Sequence, residues 1–464
     1  MSPDVLPDRD EAACLPELRS EALALYRAAV KAADPRRLVD RALEEEAPAL
    51  AAARRVVMVS VGKAGLAMAE AARPHVAYRL RHAVVVTTAQ AARPLDWARV
   101  IAGGHPLPDK GSLEGGAAVV SALAGLREDD LVLLLVSGGG SALLAAPPPG
   151  VSINDKVRLA NALLRSGAGI GEMNAVRAAV SALKGGGLAR LAMPAPVLAL
   201  LLSDVPGDDV GVIASGLSAP VRPDPARALE VLRRHGLLDG APRSVLAHLD
   251  DALAAPRPIP NPRVRNRVIG SNSISVDAME AVLRKSGRRV LRVPGWLEGA
   301  VAQAAERLVA LMREAADGGP AAVVAGGETS VLVRGSGQGG RNQELALRVA
   351  LLFERLPSGT PWVFLSGGTD GRDGPTDAAG GLVDPLSLSR MRGAGLDPEA
   401  RLARNDSYPA LVASGDVLPL EATDTNVADV QVALLGRAGP DLLPGGARVE
   451  ERETEAAMEP SPRL

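Results

Sequence analysis

The segment Arg55-Val56-Val57-Met58-Val59-Ser60-Val61-Gly62-Lys63-Ala64-Gly65 carries the plan of the fold. Val56 to Val61 is apolar almost throughout, as a strand covered on both faces must be, and it runs into a glycine turn and then a helical pattern. The same unit recurs around it. Ala83–Thr87, Leu131–Val136 and Val197–Leu202 are further short aliphatic runs separated by helical segments, with a leading helical region from Leu18 to about Glu46. Strands alternating with helices predict βαβ units and a parallel sheet. A stretch rich in Pro and Ala from Ala254 to Pro262 breaks the periodicity and marks a domain boundary. Beyond it, strands at Arg267–Ile269, Val290–Val293, Ala321–Ala325, Val331–Arg334 and Trp362–Leu365 alternate with helices near Val276–Lys285, Ala300–Ala316 and Asn342–Arg355. The reading is α/β, with a flexible N-terminus at 1–17, one α/β domain over 18–255, a second over 256–440, and a disordered tail rich in Glu and Pro at 441–464.

Hydrophobic residues make up 47% of the 464-residue chain and aromatics only 2%, so the cores must be packed by aliphatic contacts, as between helices and a sheet. A formal charge of −2, with Arg mixed among Asp and Glu, leaves no basic field for nucleic acid. Cys14, the single cysteine, allows no internal disulfide and fits a reducing compartment. Five histidines, none in an H-E-x-x-H arrangement, argue against zinc. The first residues carry Asp4, Asp8, Asp10 and Glu11 with no apolar run, unlike a signal peptide. Leu191 to Leu202, the longest apolar stretch, contains Pro194 and Pro196 and is shorter than the roughly 18 residues of a membrane span. No membrane partner and a cytoplasmic location are expected.

One device occurs three times: an apolar strand running into a glycine pair, at Ser137-Gly138-Gly139-Gly140-Ser141, Ala325-Gly326-Gly327-Glu328-Thr329 and Ser366-Gly367-Gly368-Thr369-Asp370. At the carboxyl end of a parallel strand, glycines let the backbone approach a ligand and turn its N–H groups inward, and phosphate is the usual guest. A tight strand-to-helix turn is the plain alternative for any one of them. Val61-Gly62-Lys63-Ala64-Gly65 sets a lysine at a helix start, although no Walker A spacing exists in the chain. Glu172 to Arg177 opens a helix on which Arg177, Ser181 and Lys184 share one strip before Gly185-Gly186-Gly187. These cations either meet a ligand or face solvent. Strand Val197–Leu202 delivers Asp204, and less directly Asp208 and Asp209, to a position where Mg²⁺ or a hydroxyl can be held. His105, in Gly104-His105-Pro106-Leu107-Pro108-Asp109, is a contact or part of a rigid turn.

The densest patch is Gly335 to Glu344, followed by Thr369, Asp370, Asp373 and Asp377. Gly335, Gly337 and Gly340 formally match G-x-G-x-x-G. Against a dinucleotide site stand the bulky polar Arg341, Asn342, Gln343 and Glu344 and the position of the next acid, Asp370, 30 residues on from Gly340 in place of roughly 20. An arginine after Gly339-Gly340 at a helix start is placed instead to stabilise charge on a transferring phosphoryl group.

At these residues the sequence resembles the glycerate 2-kinase family, whose C-terminal part is the MOFRL domain. The likeness runs through Val61 to Ala64, Gly104 to Asp109, Ser137 to Leu144, Asn174 to Gly187, Ser203 to Asp208, Gly326 to Thr329, Gly339 to Glu344, Gly368 to Gly380 and Asn405 to Tyr408. It departs at Ser215-Gly216-Leu217-Ser218 and Glu421 to Asn426. The resemblance implies two Rossmann-like domains with mostly parallel sheets, an active-site cleft between them and a MOFRL-like segment at 321–435. It implies ATP-dependent phosphorylation of D-glycerate at its 2-hydroxyl to 2-phosphoglycerate, with Mg²⁺. By motif, the catalytic residues fall on Lys63 and Arg341. Substrate or nucleotide contacts fall on Ser137, Gly138, Gly139, Gly140, Ser141, Asn174, Arg177, Lys184, Gly185, Glu328, Gly339, Gly340, Asn342, Thr369 and Asp377. By their own chemistry, apart from the resemblance, Arg177 or Lys184 is expected to grip the glycerate carboxylate, and Asp204 or Asp370 to hold Mg²⁺ or orient the attacking hydroxyl. The partners expected are these small molecules, with a homodimer left open. The alternatives are an NAD(P)H-dependent hydroxypyruvate reductase and a non-catalytic sensor of a sugar-acid phosphate.

Overall fold

The computed structural model describes residues 9–220, 223–254, 262–316, 319–354, 360–420 and 423–436, so the expected tail and most of the boundary stretch lie outside the described residues. Six strands, β1 (Arg55–Val61), β2 (Leu80–Thr88), β3 (Arg99–Gly103), β4 (Asp130–Val136), β5 (Val197–Ser203) and β6 (Val264–Ser271), form an all-parallel sheet in the order β3-β2-β1-β4-β5-β6. Successive side chains alternate between its faces. Val56 and Met58 pack on the helices Pro35–Glu45 and Gly65–Val76, whereas Val57, Val59 and Val61 pack with Val119 and Leu188 on the other side. Both faces are covered, which explains the uninterrupted aliphatic runs. The expected strand at Arg267–Ile269 is β6 and completes this first sheet, so the first domain takes in chain from beyond the boundary stretch. A separate helical layer, Ile153–Arg165, Ile170–Ala179, Pro225–Arg234 and Arg243–Ala254, packs around Leu159, Leu163, Val176, Val231 and Leu249. Its second helix ends at Ala179, so Lys184 lies in the turn beyond and not on the helical strip with Arg177.

The second sheet is mixed. Its strands are β7 (Arg289–Arg292), β8 (Leu297–Ala300), β9 (Ala321–Ser330), β10 (Trp362–Gly368), β11 (Ala378–Val383), β12 (Val417–Pro419) and β13 (Asp429–Leu435), in the order β12-β11-β10-β13-β9-β7 with β8 also on β9. Only β7 and β8 run parallel to β9, and the remaining pairs are antiparallel. The expectation of a mostly parallel sheet is corrected here: loop 369–377 contains no helix to carry the chain back, so β10 returns as the antiparallel β11. Val331 to Arg334 is not a strand. β9 ends at Ser330, and Leu332 and Val333 stand in an open loop, 70% and 74% exposed.

The N-terminal helix, Arg9–Ala32, starts within the segment expected to be flexible and packs on the second sheet, with Leu18, Leu25 and Tyr26 against Val324, Val363 and Leu365. Its amphipathic stripe shares the covering of that sheet face with the helix Asn272–Lys285, which contributes Val276, Met279 and Leu283. Arg288 clamps it: Nε and Nη2 donate to the two carboxylate oxygens of Glu21, each at 2.8 Å, and Nη1 donates to the Leu435 carbonyl at 3.0 Å, with both side chains buried. Glu21→Gln, which leaves a buried guanidinium without its counter-charge, is expected to lower unfolding stability by about 3 kcal/mol, read as a shift in the urea midpoint. No helix among the described residues is long and apolar enough to cross a membrane.

Candidate active site

In the first sheet the chain leaves β1 for β2 on one side, while β4 lies on the other, so the loops after β1 and β4 part at their carboxyl ends. Open α/β sheets hold ligands at such a switch point. Here the two loops are laced together: Ser137 N donates to Val61 O at 2.9 Å, Lys63 N to Gly138 O at 2.9 Å, and Ala64 N to Ser137 Oγ at 3.0 Å. Gly62 makes this possible, since its φ is +129° and a Cβ on it would lie 2.1 Å from Ser137 Oγ. The Lys63 side chain projects from this junction towards the second domain.

There its Nζ donates to Asp370 Oδ2 at 2.6 Å. Arg341, the first residue of the helix Arg341–Phe353, donates from Nε and Nη2 to the two oxygens of Asp429 at 2.6 and 2.9 Å, and from Nη1 to Glu328 Oε1 at 2.6 Å. A Cβ on Gly368 would meet Asp370 Oδ1 at 3.1 Å and Asp429 Oδ1 at 3.5 Å, so the two ion pairs share one wall. They open onto a cleft of about 1340 Å³, lined from the first domain by Lys63, Gly104 and His105 and from the second by Glu328, Arg341 and Asp370.

Acids around the cleft have unequal proton affinities. Asp204, just past β5, packs against Gly138 and accepts from Asn426 Nδ2 at 3.4 Å. Desolvation, followed by the charge of Glu328, pushes it up to about 6, with Lys63 pulling the other way. Burial pushes Asp373 up to about 7 even though it accepts from the backbone N–H groups of Asn342 (3.1 Å) and Gln343 (2.8 Å) in the first turn of the Arg341 helix. Asp373 thereby caps that helix and fixes where Arg341 begins. Burial and then Lys63 depress the His105 pKa, with Asp370 pulling the other way.

The loop before Arg341 is held by its neighbours. Asn405 Oδ1 accepts from Arg334 N at 2.7 Å and Gly335 N at 3.1 Å, Asp406 Oδ1 accepts from Gln338 N at 2.9 Å, and Gly337 N donates to Arg404 O at 3.1 Å. Cβ atoms on Gly335 and Gly337 would lie 2.4 and 2.5 Å from Arg404 O, and one on Gly340 would lie 2.3 Å from the Asp373 carboxyl carbon. These glycines make room for the chain itself, which removes the ground for a pyrophosphate-binding fingerprint.

Residues 21–250 match the family described as a domain of unknown function (DUF4147), and residues 321–429 match the MOFRL family. The chain is 37% identical to the D-glycerate 2-kinase of Thermotoga maritima over 90% of its own length and 98% of that protein's. The chain belongs to the glycerate 2-kinase family. The crystal structure of a glycerate kinase from Thermotoga maritima superposes with a TM-score of 0.80 at 37% identity, covering 90% of this chain and 100% of that one. A protein of Agrobacterium vitis called a putative hydroxypyruvate reductase is 39% identical over 89% of this chain and 93% of its own, so that name also occurs among glycerate 2-kinase relatives.

Of the residues that the glycerate 2-kinase resemblance singled out, Lys63, Glu328, Gly339, Gly340, Arg341 and Asp370 line the cleft together. Several others are tied up within the fold. Asn342 is buried between Asp373 and Ser366, and Thr369 Oγ1 donates to Ala428 O at 2.6 Å and accepts from Val427 N at 2.9 Å. Asp377, by contrast, stays exposed, with one oxygen accepting a hydrogen bond from the Tyr408 hydroxyl. The second and third glycine pairs are not turns: β9 and β10 continue through them, and Cβ atoms on Gly327 and Gly367 would strike Leu297 O at 2.2 Å and the Leu418 side chain at 2.6 Å. Asn174, Lys184 and Gly185 cluster with Ser141 and Ser215 beside the first glycine loop, where Gly185 N donates to Ser215 O at 3.0 Å and Arg177 is near enough to repel Lys184. Sequence reading missed Asp429, which orients Arg341, and Lys156, a buried cation of the helical layer.

Proposed function

We propose that the protein is a glycerate 2-kinase that transfers the γ-phosphoryl group of ATP to the 2-hydroxyl of D-glycerate, giving 2-phosphoglycerate and ADP. One observation supports this most: a lysine at the switch point of one domain and an arginine at a helix start of the other face the same cleft, each aligned by a carboxylate. Phosphoryl transfer asks little covalent chemistry of a protein and much of positioned cations, because negative charge spreads over the transferred group. Lys63 and Arg341 take those parts, with Asp370 and with Asp429 and Glu328 holding them in direction before substrate arrives.

Among the described residues no group of His, Cys, Asp or Glu forms a complete metal cage. Magnesium in kinases typically needs only one or two carboxylates, because phosphate oxygens and waters complete its shell. The mutual repulsion of Asp204, Glu328 and Asp370 fits such a partly supplied cation, with Asp370, which lines the cleft, as its holder, leaving Asp204 behind the lining as an uncoordinated acid. When bound, the metal would neutralise phosphate charge. To Asp204, beside Gly138 and the first glycine loop, we assign the proton of the acceptor hydroxyl. Its pKa lies above the ordinary carboxylate value, so it is ionised above about 6 and protonated below. We therefore expect log kcat/KM to fall with unit slope below about pH 6, and Asp204→Asn to remove that limb together with most of the rate.

The deciding experiment incubates purified protein with ATP, Mg²⁺ and D-glycerate, follows ADP release and identifies the product. 2-Phosphoglycerate is expected. NADPH consumption with hydroxypyruvate and no ADP release with glycerate would overturn the reading.

A further inference from the structure

Beside the loop Ser137 to Ser141, three cationic side chains meet with no acid among the described residues paired to any of them. Lys184 is 5% exposed and donates from Nζ to Ser141 O at 2.6 Å, and Lys156 is 9% exposed and donates from Nζ to Val180 O at 2.8 Å. Arg177 comes from the neighbouring helix Ile170–Ala179. The three repel one another: burial first, then Lys156 and Arg177, hold Lys184 well below the ordinary lysine range, and burial with Arg177 lowers Lys156 to about 8. Unpaired buried charge is costly, and folds keep it where a ligand supplies the opposite sign.

A second, independent feature points to the same ligand. The Asn174 amide Nδ2 is buried and has no acceptor, while its Oδ1 accepts from Ser215 Oγ at 3.3 Å. The hydroxyls of Ser215 and Ser141 share a hydrogen bond of 2.8 Å. Ser215 and its neighbour Ala214 have φ of +59° and +48°, a left-handed conformation that non-glycine residues adopt at a cost and that concentrates at ligand sites. The groups left without an acceptor, Asn174 Nδ2 and the spare N–H groups of the three cations, are donors, so the guest they fit is an anion.

We propose that Lys156, Asn174, Arg177 and Lys184 bind the carboxylate of the acceptor, with Ser141 and Ser215 orienting the Asn174 amide, so that the helical layer, and neither sheet, selects a hydroxy acid over a neutral polyol. This rests on the kinase reading above. Position distinguishes the guest from a nucleotide: the wide cleft has its own cations in Lys63 and Arg341, whereas here Lys156 and Lys184 are nearly buried and Ser141, Asn174 and Arg177 are half-buried. Place agrees, since a Cβ on Gly139, two residues before Ser141, would lie 3.4 Å from Lys63 Cγ. A carboxylate held here sets the adjoining hydroxyl next to the transferring cations.

The test measures KM for D-glycerate and for ATP separately in wild type, Lys184→Met and Arg177→Gln. Loss of one charge-assisted contact should raise KM for glycerate roughly 10- to 100-fold and leave KM for ATP within about twofold. The preference for glycerate over glycerol as acceptor should shrink in step. A raised KM for ATP with unchanged glycerate KM would assign the pocket to a nucleotide phosphate and overturn the proposal, as would folded variants with both constants unchanged. If Lys184→Met does not fold, Arg177→Gln and Asn174→Ala, at half-buried positions, carry the same test. Calorimetric titration with D-glycerate separates this from the wider reading: wild type that binds glycerate without releasing ADP refutes the kinase and leaves the pocket to be judged by whether Arg177→Gln abolishes that binding. Wild type that does not bind glycerate refutes both.

Discussion

Arg341→Lys is expected to lower kcat about 10³-fold, while KM for ATP and for D-glycerate changes far less. The charge is kept in this variant, so the effect isolates geometry. Arg341 spends two donors on Asp429 and one on Glu328, which locks the guanidinium plane and leaves its remaining edge facing the cleft. Burial by itself disfavours the charged arginine, yet Asp429 and Glu328 more than offset that and hold its pKa above the ordinary value. A lysine ammonium is a point charge and cannot pair with Asp429 in two places while also meeting a phosphoryl oxygen. Alanine would be less informative, because Asp429 is 1% exposed and would be left as a buried carboxylate without its partner, a change costing several kcal/mol of stability. Steady-state kinetics with both substrates varied decides it. A kcat within tenfold of wild type would remove Arg341 from the transfer step.

How much of this was legible in the sequence depends on the range of the interaction involved. β1, β4 and β5 are aliphatic at nearly every position because both faces are covered, and that local signature placed the first sheet and Lys63 at its switch point. The second sheet was misjudged because its partners are distant in the chain, β9 lying against β13 and β10 lying between β11 and β13. One clue was available: Thr369 to Asp377 holds no helical pattern, and a strand followed by such a loop returns antiparallel. The Arg9–Ala32 helix shows an apolar stripe in either case, and nothing local says that Leu18 and Leu25 sit on the second sheet and not the first. Lys156 follows Ser152-Ile153-Asn154-Asp155 and reads as an ordinary surface lysine at a helix start, because its burial next to Val180 is a tertiary fact. Two of the three glycine pairs are packed against the chain itself, and it is the residues just after them, Glu328 and Asp370, that face the cleft. Close approach to another strand's backbone, as at Gly327, or to packed side chains, as at Gly367, demands the same residue as close approach to a ligand, so sequence cannot separate them.

Lys63→Ala is expected to lower kcat by roughly 10²- to 10³-fold, the usual loss when one positioned donor to a transition-state oxyanion is removed. The fold should survive, because the junction of β1 and β4 is held by backbone groups and by Ser137 Oγ, none of which involves the lysine side chain. Lys63 and Asp370 keep 29% and 20% of their side chains exposed, so breaking that ion pair costs little stability. A purely structural lysine would leave the pH profile alone, and this supplies the sharper readout. Lys63 holds the Asp204 pKa down, while Glu328 and Asp370 hold it up. Removing the cation leaves only the acids, so the residual activity should lose its acid limb at a pH above the wild-type value of about 6. Wild-type turnover in Lys63→Ala would dismiss the lysine as a catalytic group, and a reduced rate with an unmoved limb would place Lys63 at the phosphate but Asp204 outside the proton transfer.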